Sequence, residues 1–250
     1  MSNSYKIVAP IEARMTSTRL PGKVMMEVGG KPLLQILIER LQQSETIDQI
    51  VMATTTNPQD DPIAEMCDRI GVACFRGSEL NVLDRVCGAA RITDADIIVE
   101  ITGDNCLIDH RTVDQMIRIF LENYPTHRYV SDVGDDENSL PWGFDAKVFA
   151  AKDLYEINDN NPDNMDKEHV SWRFYQPEVH EKYNPLIVKY DGAIHRPELC
   201  VVLDYQEDYD LMKACYEDLY PQNPQFGVLD IIQWLDKHPD IRDAAIAVRS

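Results

Sequence analysis

The first half of the chain alternates short continuous apolar runs with segments in which apolar residues recur every three or four positions. Continuous runs are typical of strands buried on both faces, and here they are YKIVAPI, IDQIVMATT, VACFRG and ADIIVEITGD. The periodic segments predict amphipathic helices, and they are KPLLQILIERLQQS, DDPIAEMCDRIG, VLDRVCGAARI and DHRTVDQMIRIFLENY. Consecutive strand–helix units of this kind predict an α/β fold with a largely parallel sheet covered by helices on both faces.

Residues at the predicted helix boundaries support this interpretation. Pro32 suits the first turn of a helix, where the missing amide hydrogen costs nothing. Gly71 is the kind of residue that ends a helix, and Asp109 is expected to cap the helix that follows it.

The pattern becomes less regular after Tyr124. Strands are predicted at FDAKVF, LIVKY and LCVVLD. Helices are predicted at DKEHVSWRFY and QEDYDLMKACYEDLY, with VLDIIQWLDKH as the closing helix. The polar stretches DVGDDENS and NDNNPDN are interpreted as solvated loops. We expect one domain over residues 1–250, with an irregular second half.

Composition restricts the function. The chain has 43 Asp and Glu residues against 24 Lys and Arg, a net charge of -19, which disfavours binding to nucleic acid polymers and to anionic membranes. The sequence begins with no apolar leader and holds no apolar run of membrane-spanning length, so we expect a cytoplasmic protein. The six cysteines are scattered without a C-x-x-C pair, which argues against a zinc site or a disulfide framework.

A basic loop follows the first predicted strand in this acidic chain. The stretch ARMTSTRLPGK places Arg14, Arg19 and Lys23 beside Ser17 and Thr18. Guanidinium groups suit bidentate phosphate contacts, and a lysine supplies a point charge. The P-loop pattern and the dinucleotide pattern G-x-G-x-x-G are both absent. The loop nevertheless lies where ligands bind in open α/β sheets, at the carboxyl ends of the strands.

Several segments together resemble one known family. ARMTSTRLPGK, GGKPLL, VMATT, DDPIAEMC, FRGSELNVLDR, ITGDNCLID and KEHVSW closely resemble the cytidylyltransferases of spore-coat polysaccharide synthesis, which are related to the Kdo and acylneuraminate enzymes. The resemblance implies a Rossmann-like, glycosyltransferase-A-type nucleotidyltransferase domain with a mostly parallel sheet. Residues 1–125 would form its nucleotide-binding half, and residues 126–250 its acceptor-side and closing half.

The resemblance also implies an activity. The enzyme would be a Mg²⁺-dependent cytidylyltransferase that transfers CMP from CTP to a small acceptor, releases pyrophosphate and supplies an activated precursor for cell-surface or capsular polysaccharide. A nucleotidyltransferase that uses another triphosphate such as GTP, and a catalytically silent nucleotide-binding domain, are the alternatives. Homodimerisation is plausible because twofold assemblies are the commonest oligomers.

The resemblance assigns site residues by position. The triphosphate and its catalysis fall to Arg14, Arg19 and Lys23, with Ser17 and Thr18. Asp104 and Asp204 would hold Mg²⁺, for which two carboxylates suffice because water and phosphate oxygens complete the octahedron. The remaining nucleotide contacts would come from Ala13, Met15, Ala53, Thr54, Arg76, Gly77, Asn81, Arg85, Thr102 and Gly103.

Each of these assignments has a structural alternative. Arg14 or Arg19 could pair with Glu12 or Glu27. Asp104 could be a turn residue, and Asp204 could cap the following helix.

The chain departs from the family pattern mainly on the acceptor side. Thr16 replaces a usual Gly, Glu12 a usual Gln, and Asn105-Cys106 a usual Cys-Pro, while Trp142 stands where an acidic residue is usual. The acceptor would contact Trp142, Asp145, Lys147, Glu168, His169 and Arg173. His169 is a contact, a general base, or only a helix residue. A sugar acid and a small phosphorylated metabolite remain open as acceptors.

Overall fold

The protein is described by a computed structural model over residues 5–133 and 139–249. Within these ranges the strands are β1 Ile7–Glu12, β2 Glu27–Val28, β3 Lys31–Pro32, β4 Gln49–Thr55, β5 Ala73–Gly77, β6 Ile97–Thr102, β7 Tyr129–Ser131, β8 Lys147–Ala150 and β9 Leu186–Ile187. The α-helices are α1 Leu33–Leu41, α2 Asp61–Ile70, α3 Val82–Ile92, α4 His110–Asn123, α5 Ala151–Asp159, α6 Asn164–Glu168, α7 His180–Tyr183, α8 Gln206–Leu219, α9 Val228–Lys237 and α10 Pro239–Ala247.

One seven-stranded sheet runs through both halves of the chain in the order β5-β4-β1-β6-β8-β7-β9. β1 lies between β4 and β6 and is parallel to both, and β5 is parallel to β4. β8 is antiparallel to β6 and to β7. The predicted α/β fold with a mostly parallel sheet is confirmed, and the carboxyl ends of β1, β4 and β6 lie together at one edge.

Apolar side chains pack on both faces of this sheet. Along β1, Ile7, Ala9 and Ile11 join the cluster formed with α1, α2, α4, α8 and α9, whereas Val8 faces the cluster formed with α3 and α5. This alternation follows from the two-residue repeat of a strand. It explains why the strands of the first half are continuous apolar runs.

The boundary residues of the first half act much as predicted. Gly71 ends α2 with φ of 72°, a left-handed conformation that glycine adopts without steric cost. The Asp109 side chain accepts a hydrogen bond from the Arg111 amide at the start of α4. Pro32 lies one position earlier than predicted, because α1 begins at Leu33.

The second half departs from the sequence predictions. The segment DKEHVSWRFY is not one helix: α6 ends at Glu168, and a short 3₁₀ helix follows at Trp172–Tyr175. In LCVVLD the structure has a single bridge between Trp142 and Cys200 instead of a strand. LIVKY contributes only the two residues of β9.

Other elements of the second half were not predicted. They are β7, α5, α7 and α10, and α10 rather than α9 is the last helix within the described residues. Residues 134–138 of the acidic segment DVGDDENS lie outside the described residues. Among the helices that the structure describes, none has the length and apolarity that a membrane crossing requires.

Candidate active site

A cleft of about 530 Å³ opens at the carboxyl ends of β1 and β6. It is lined by Glu12, Ala13, Arg14, Ser17, Thr18, Arg19, Lys23, Val24, Val82, Arg85, Thr102, Gly103, Asp104, Glu168 and His169. Most of the residues that the sequence assigns to the triphosphate therefore share one cavity with Asp104. The cleft also receives two residues from the second half, Glu168 and His169.

The basic loop is fixed at its start by a buried carboxylate. The Met15 amide donates to Asp60 Oδ1 at 2.7 Å, and Asp60 is fully buried. Gly22, with φ of 74°, donates its amide to the Met15 carbonyl at 2.9 Å and closes the loop. Arg14 and the Thr16 hydroxyl both contact Glu79, at 3.5 and 2.9 Å. These contacts hold the loop cations at the mouth of the cleft.

Lys23 joins the two carboxylates that are predicted to bind metal. Its Nζ lies 3.1 Å from Asp104 Oδ2 and 2.9 Å from Asp204 Oδ1. Arg19 Nη2 also contacts Asp204 Oδ1, at 2.8 Å. Burial lowers the pKa of Lys23, but Asp104 and Asp204 raise it, and the net pKa lies above the usual lysine value. The structure thus brings together carboxylates that are a hundred positions apart in the chain.

The strand ends determine where these carboxylates lie. Gly103 packs so closely against the end of β1 that no side chain fits at this position. A Cβ added there would lie 2.7 Å from the Glu12 carbonyl oxygen and 2.8 Å from the Ala13 Cβ. The Leu203 amide donates to the Asp104 carbonyl at 3.1 Å. The backbone beside Asp204 is therefore joined directly to the β6 loop.

The contacts of Arg14, Arg19 and Asp204 differ from those of their structural alternatives. Arg14 pairs with Glu79, and Arg19 pairs with Asp204, rather than with Glu12 or Glu27. Asp204 is not the helix cap, because the start of α8 is held by the Asp208 carboxylate and Tyr205 is the N-cap.

The two aspartates suit a divalent cation by their chemistry. Their Oδ atoms converge on one point, now held by the Lys23 ammonium, from separate loops. Mg²⁺ takes one or two protein carboxylates when phosphate and water supply the other ligands. Within residues 5–133 and 139–249, no group of three or more His, Cys, Asp or Glu residues is arranged to hold a metal ion.

The residues predicted on the base and ribose side divide into two groups. Arg85 lines the cleft and is almost fully buried, donating to the carbonyls of Ala53 and Ser78 at 3.2 and 2.6 Å. Thr54 is fully buried. The side chains of Arg76 and Asn81 serve local structure instead.

Their contacts show why these two side chains do not enter the cleft. Arg76 donates to the carbonyls of Thr55 and Asn57 and pairs with Asp61 at 2.7 Å. Asn81 caps α3. Gly77 accepts the Thr56 amide at 3.0 Å.

Glu12 is a cleft residue that the sequence analysis considered only as a departure from the family and as a possible ion-pair partner of Arg14 or Arg19. Burial, and after it the neighbouring Glu100, raise the pKa of Glu12 to about 8 against the lowering effects of Arg85 and Lys147. Its Oε2 is buried without a hydrogen-bond partner in the described structure. A glutamate directly after the apolar run of the first strand, followed by Ala13, was the available signal.

Three of the predicted acceptor residues, Trp142, Asp145 and Lys147, line a neighbouring cleft of about 390 Å³. The other residues that line it are Tyr129, Val133, Tyr175, His180, Asn184, Pro185 and Ile187. Asn105 donates to Asp145 Oδ1 at 3.2 Å and links this cleft to the loop of Asp104. Lys147 Nζ lies 3.6 Å from Glu100 and 3.7 Å from Asp145. Trp142 is 46% exposed and also borders a groove of about 510 Å³ that reaches Asp204.

Arg173 is not brought to either cleft. It pairs with Asp163 at 3.3 Å and with the fully buried Asp166, which belongs to the capping box of α6. It lines a separate pocket together with Glu156 and Lys182. The sequence pattern could not distinguish this ion pair from an acceptor contact.

Comparison with known proteins gives consistent results. The chain matches the family profile described as cytidylyltransferase over residues 8–173. The spore coat polysaccharide biosynthesis protein SpsF of Bacillus subtilis is 30% identical over 235 residues, covering 92% of this chain and 94% of that protein. A cytidylyltransferase structure from Leptospira borgpetersenii serovar Hardjo-bovis has a TM-score of 0.84 at 29% identity, covering 95% of this chain and 97% of that one.

A more distant solved structure shares the fold. It is CMP:2-keto-3-deoxy-manno-octonic acid synthetase complexed with CTP, with a TM-score of 0.61 at 17% identity. The similarity covers 86% of this chain and 99% of that one. The predicted family resemblance and the nucleotidyltransferase type of fold are confirmed.

Proposed function

The chain belongs to the cytidylyltransferase family and is a CTP-dependent nucleotidyltransferase; from this premise we propose that it transfers CMP to a small acceptor in a Mg²⁺-dependent reaction. The observation that carries the proposal is the convergence of Arg19, Lys23, Asp104 and Asp204 at the edge of one cleft. An acceptor oxygen attacks the α-phosphorus of CTP, the bond to the bridging oxygen breaks, and pyrophosphate leaves with that electron pair.

The loop cations supply most of the stabilisation that this chemistry needs. Negative charge grows on the leaving pyrophosphate, and fixed cations in a cleft stabilise it without reorganisation. Arg14 and Arg19 are about half exposed and can turn toward phosphate oxygens. Lys23 is more deeply buried, and on nucleotide binding it would exchange part of its contact with Asp104 and Asp204 for phosphate.

Asp104 and Asp204 would hold the metal. Bound Mg²⁺ would neutralise phosphate charge and help to orient the triphosphate. The protein contributes two hard oxygen ligands on separate loops whose positions the backbone fixes. Arg85 and Glu12 form the inner end of the cleft, where we assign the ribose and base. We assign nucleotide binding mainly to residues 1–125.

We place the acceptor beside Trp142, Asp145 and Lys147, with Glu168 and His169 at its border with the nucleotide. The distances from Lys147 Nζ to Glu100 and Asp145 exceed hydrogen-bond length. Its ammonium can therefore donate to an anionic group, such as the carboxylate of a sugar acid or the phosphate of a small metabolite.

Either product is an activated precursor, and the similarity to SpsF supports a role in cell-surface polysaccharide synthesis. We expect a cytoplasmic homodimer.

The first test is thermal unfolding with CTP, GTP, UTP and ATP, each with and without Mg²⁺. A ligand at a hundred times its dissociation constant adds about 2.7 kcal/mol, which raises Tm by roughly 5 to 10 °C in a chain of this size. We expect the shift with CTP and Mg²⁺. Asp104→Asn should remove the effect of Mg²⁺, whereas Asp159→Asn, in an exposed pair with Arg91, should retain it.

Each other result of the thermal unfolding test would contradict a different part of the proposal. A shift with GTP alone would change the assigned base, and a shift with CTP that ignores Mg²⁺ and Asp104 would indicate a silent nucleotide-binding domain. If no nucleotide shifts the melt, the phosphate-binding assignment of the loop is wrong. With CTP established, pyrophosphate release measured with sugar acids and with phosphorylated metabolites separates the two acceptor classes.

A further inference from the structure

We propose that Arg249 and Asp208 are positioning residues that hold Asp204 in place for the metal. This inference rests on the proposed function, because it assigns both residues to the same Mg²⁺-dependent site. Neither residue lines the nucleotide cleft, and Arg249 follows the last helix of the chain, α10. Their contacts nevertheless lead directly to Asp204.

The first link joins Arg249 to Asp208. Arg249 Nη1 lies 2.7 Å from Asp208 Oδ1, and Nη2 donates to Oδ2 at 2.7 Å. Nη2 also donates to the carbonyl of Val202 at 3.0 Å. The Asp208 residue is only 2% exposed, and burying a carboxylate is costly unless an opposite charge pairs with it. Arg249 supplies that charge.

The second link joins Asp208 to the backbone of Asp204. Asp208 Oδ2 accepts the amides of Asp204 and Tyr205, both at 2.8 Å. An ionised carboxylate binds such amides more strongly than a neutral one. The Asp204 side chain is then free to point toward Lys23 and Arg19, which it contacts at 2.9 and 2.8 Å.

A third contact reinforces the same arrangement from the side of the loop. The Tyr205 ring is contacted by two guanidinium groups, with Arg19 at 5.5 Å and Arg249 at 5.6 Å from its centroid. Cations near an aromatic ring at this distance attract it. Arg249 therefore helps to fix the position of Asp204 through two neighbours, Asp208 and Tyr205. Loss of Arg249 would leave the Asp208 charge buried and unpaired, and the carboxylate that accepts the Asp204 amide would no longer be held in place.

A purely structural role predicts a different result. If Arg249 and Asp208 only fasten the start of α8 and the end of α10, their loss lowers Tm and leaves metal affinity unchanged. If they position a metal ligand, their loss weakens metal binding, typically by 10- to 100-fold for residues that support a ligand. The affinity of the folded protein for metal separates the two roles.

The test measures the affinity for Mn²⁺ in the presence of a non-hydrolysable CTP analogue. Electron paramagnetic resonance detects the free Mn²⁺ during the titration. We expect Arg249→Ala to weaken Mn²⁺ binding at least tenfold and Arg249→Lys to restore part of the loss. Arg242→Ala is the matched control, because Arg242 lies on α10, the helix that precedes Arg249, and pairs with Asp243 and Asp236. It should bind Mn²⁺ as the wild type does.

Asp208→Asn provides a second variant if Arg249→Ala does not fold. Asparagine can still accept the two amides but carries no charge to pair with Arg249, so we expect an intermediate loss of Mn²⁺ affinity. Folded variants that bind Mn²⁺ as tightly as the wild type would overturn the positioning role and leave the proposed function intact. Wild-type protein that binds the CTP analogue but no Mn²⁺ would overturn the metal-dependent mechanism and this inference with it.

Discussion

The protonation state of Glu12 changes the charge inside the nucleotide cleft. Its carboxyl lines the cleft that holds the loop cations, and burial, with Glu100, raises its pKa to about 8. At neutral pH the group is therefore largely protonated. A neutral carboxyl adds no repulsion to a bound triphosphate, and in this respect it resembles the glutamine that is usual in the family.

Replacing Glu12 with glutamine tests this interpretation. The pKa of Glu12 in the folded protein, about 8, exceeds its ordinary value of 4.5, so the folded state binds more protons than the unfolded state between these values. The wild type should lose stability relative to Glu12→Gln as pH rises through this window, by at most about 1.4 kcal/mol per pH unit. The difference becomes constant above the folded pKa. Urea unfolding at pH 6 and pH 8.5 measures it.

The same change should appear in substrate binding. Above pH 8 the ionised Glu12 repels the triphosphate, so we expect KM for CTP to rise in the wild type and to rise less in Glu12→Gln. Glu45→Gln is the control, because Glu45 is exposed in a surface pair with Arg118. A pH profile that is the same for wild type and Glu12→Gln would show that ionisation of Glu12 does not affect CTP binding in this range.

At the scale of the element, the segment around α6 explains why a predicted acceptor residue lies elsewhere. Asp163 and Asp166 form a capping box at the start of α6, and Arg173 returns from the following 3₁₀ helix to pair with both. Because α6 ends at Glu168, His169 and Arg173 do not share a helix. The turn places His169 in the nucleotide cleft and Arg173 outside it.

We predict that Arg173→Ala impairs folding stability rather than acceptor binding. Asp166 is fully buried, and loss of its charged partner should cost about 2 to 3 kcal/mol. The KM for the acceptor should stay within about twofold, whereas Lys147→Ala should raise it at least tenfold, the loss of one charged hydrogen bond. Denaturant unfolding and steady-state kinetics on both variants provide the measurements. A stable Arg173→Ala protein with a raised acceptor KM would return Arg173 to the acceptor site.

The sequence was most informative where each element has a single regular environment. Strands such as β1 and β4 are buried on both faces, so continuous apolar runs identified them. The run LCVVLD is just as apolar, but the backbone–backbone hydrogen bonds that join it to distant parts of the chain go to Trp142 and Asp104. Neither partner is near it in sequence, and periodicity cannot supply that information. The same limit applies to Arg76, whose partners are the carbonyls of Thr55 and Asn57 and the carboxylate of Asp61.

At the scale of the whole molecule, the candidate metal site depends on long-range folding. Asp104 follows β6, while Asp204 precedes α8, and the hydrogen bond from the Leu203 amide to the Asp104 carbonyl joins the two loops. No local pattern predicts that meeting; the resemblance to the family did. The loop cations, by contrast, were visible at once, because basic residues are scarce in a chain of net charge -19.

That charge should make the protein discriminate between a nucleotide and a polynucleotide. CTP meets the local cations of the cleft within a few ångströms, a range over which screening is weak, because the Debye length is about 8 Å at physiological salt. A polymer such as poly(C) must also approach the surrounding acidic surface, and its affinity depends on the number of phosphates neutralised. We expect Mg²⁺ and CTP to raise Tm at both 50 and 200 mM salt, and poly(C) to have no effect at either. Stabilisation by poly(C) at 50 mM salt that disappears at 200 mM would reveal a basic track on the surface, and the argument from net charge would fail.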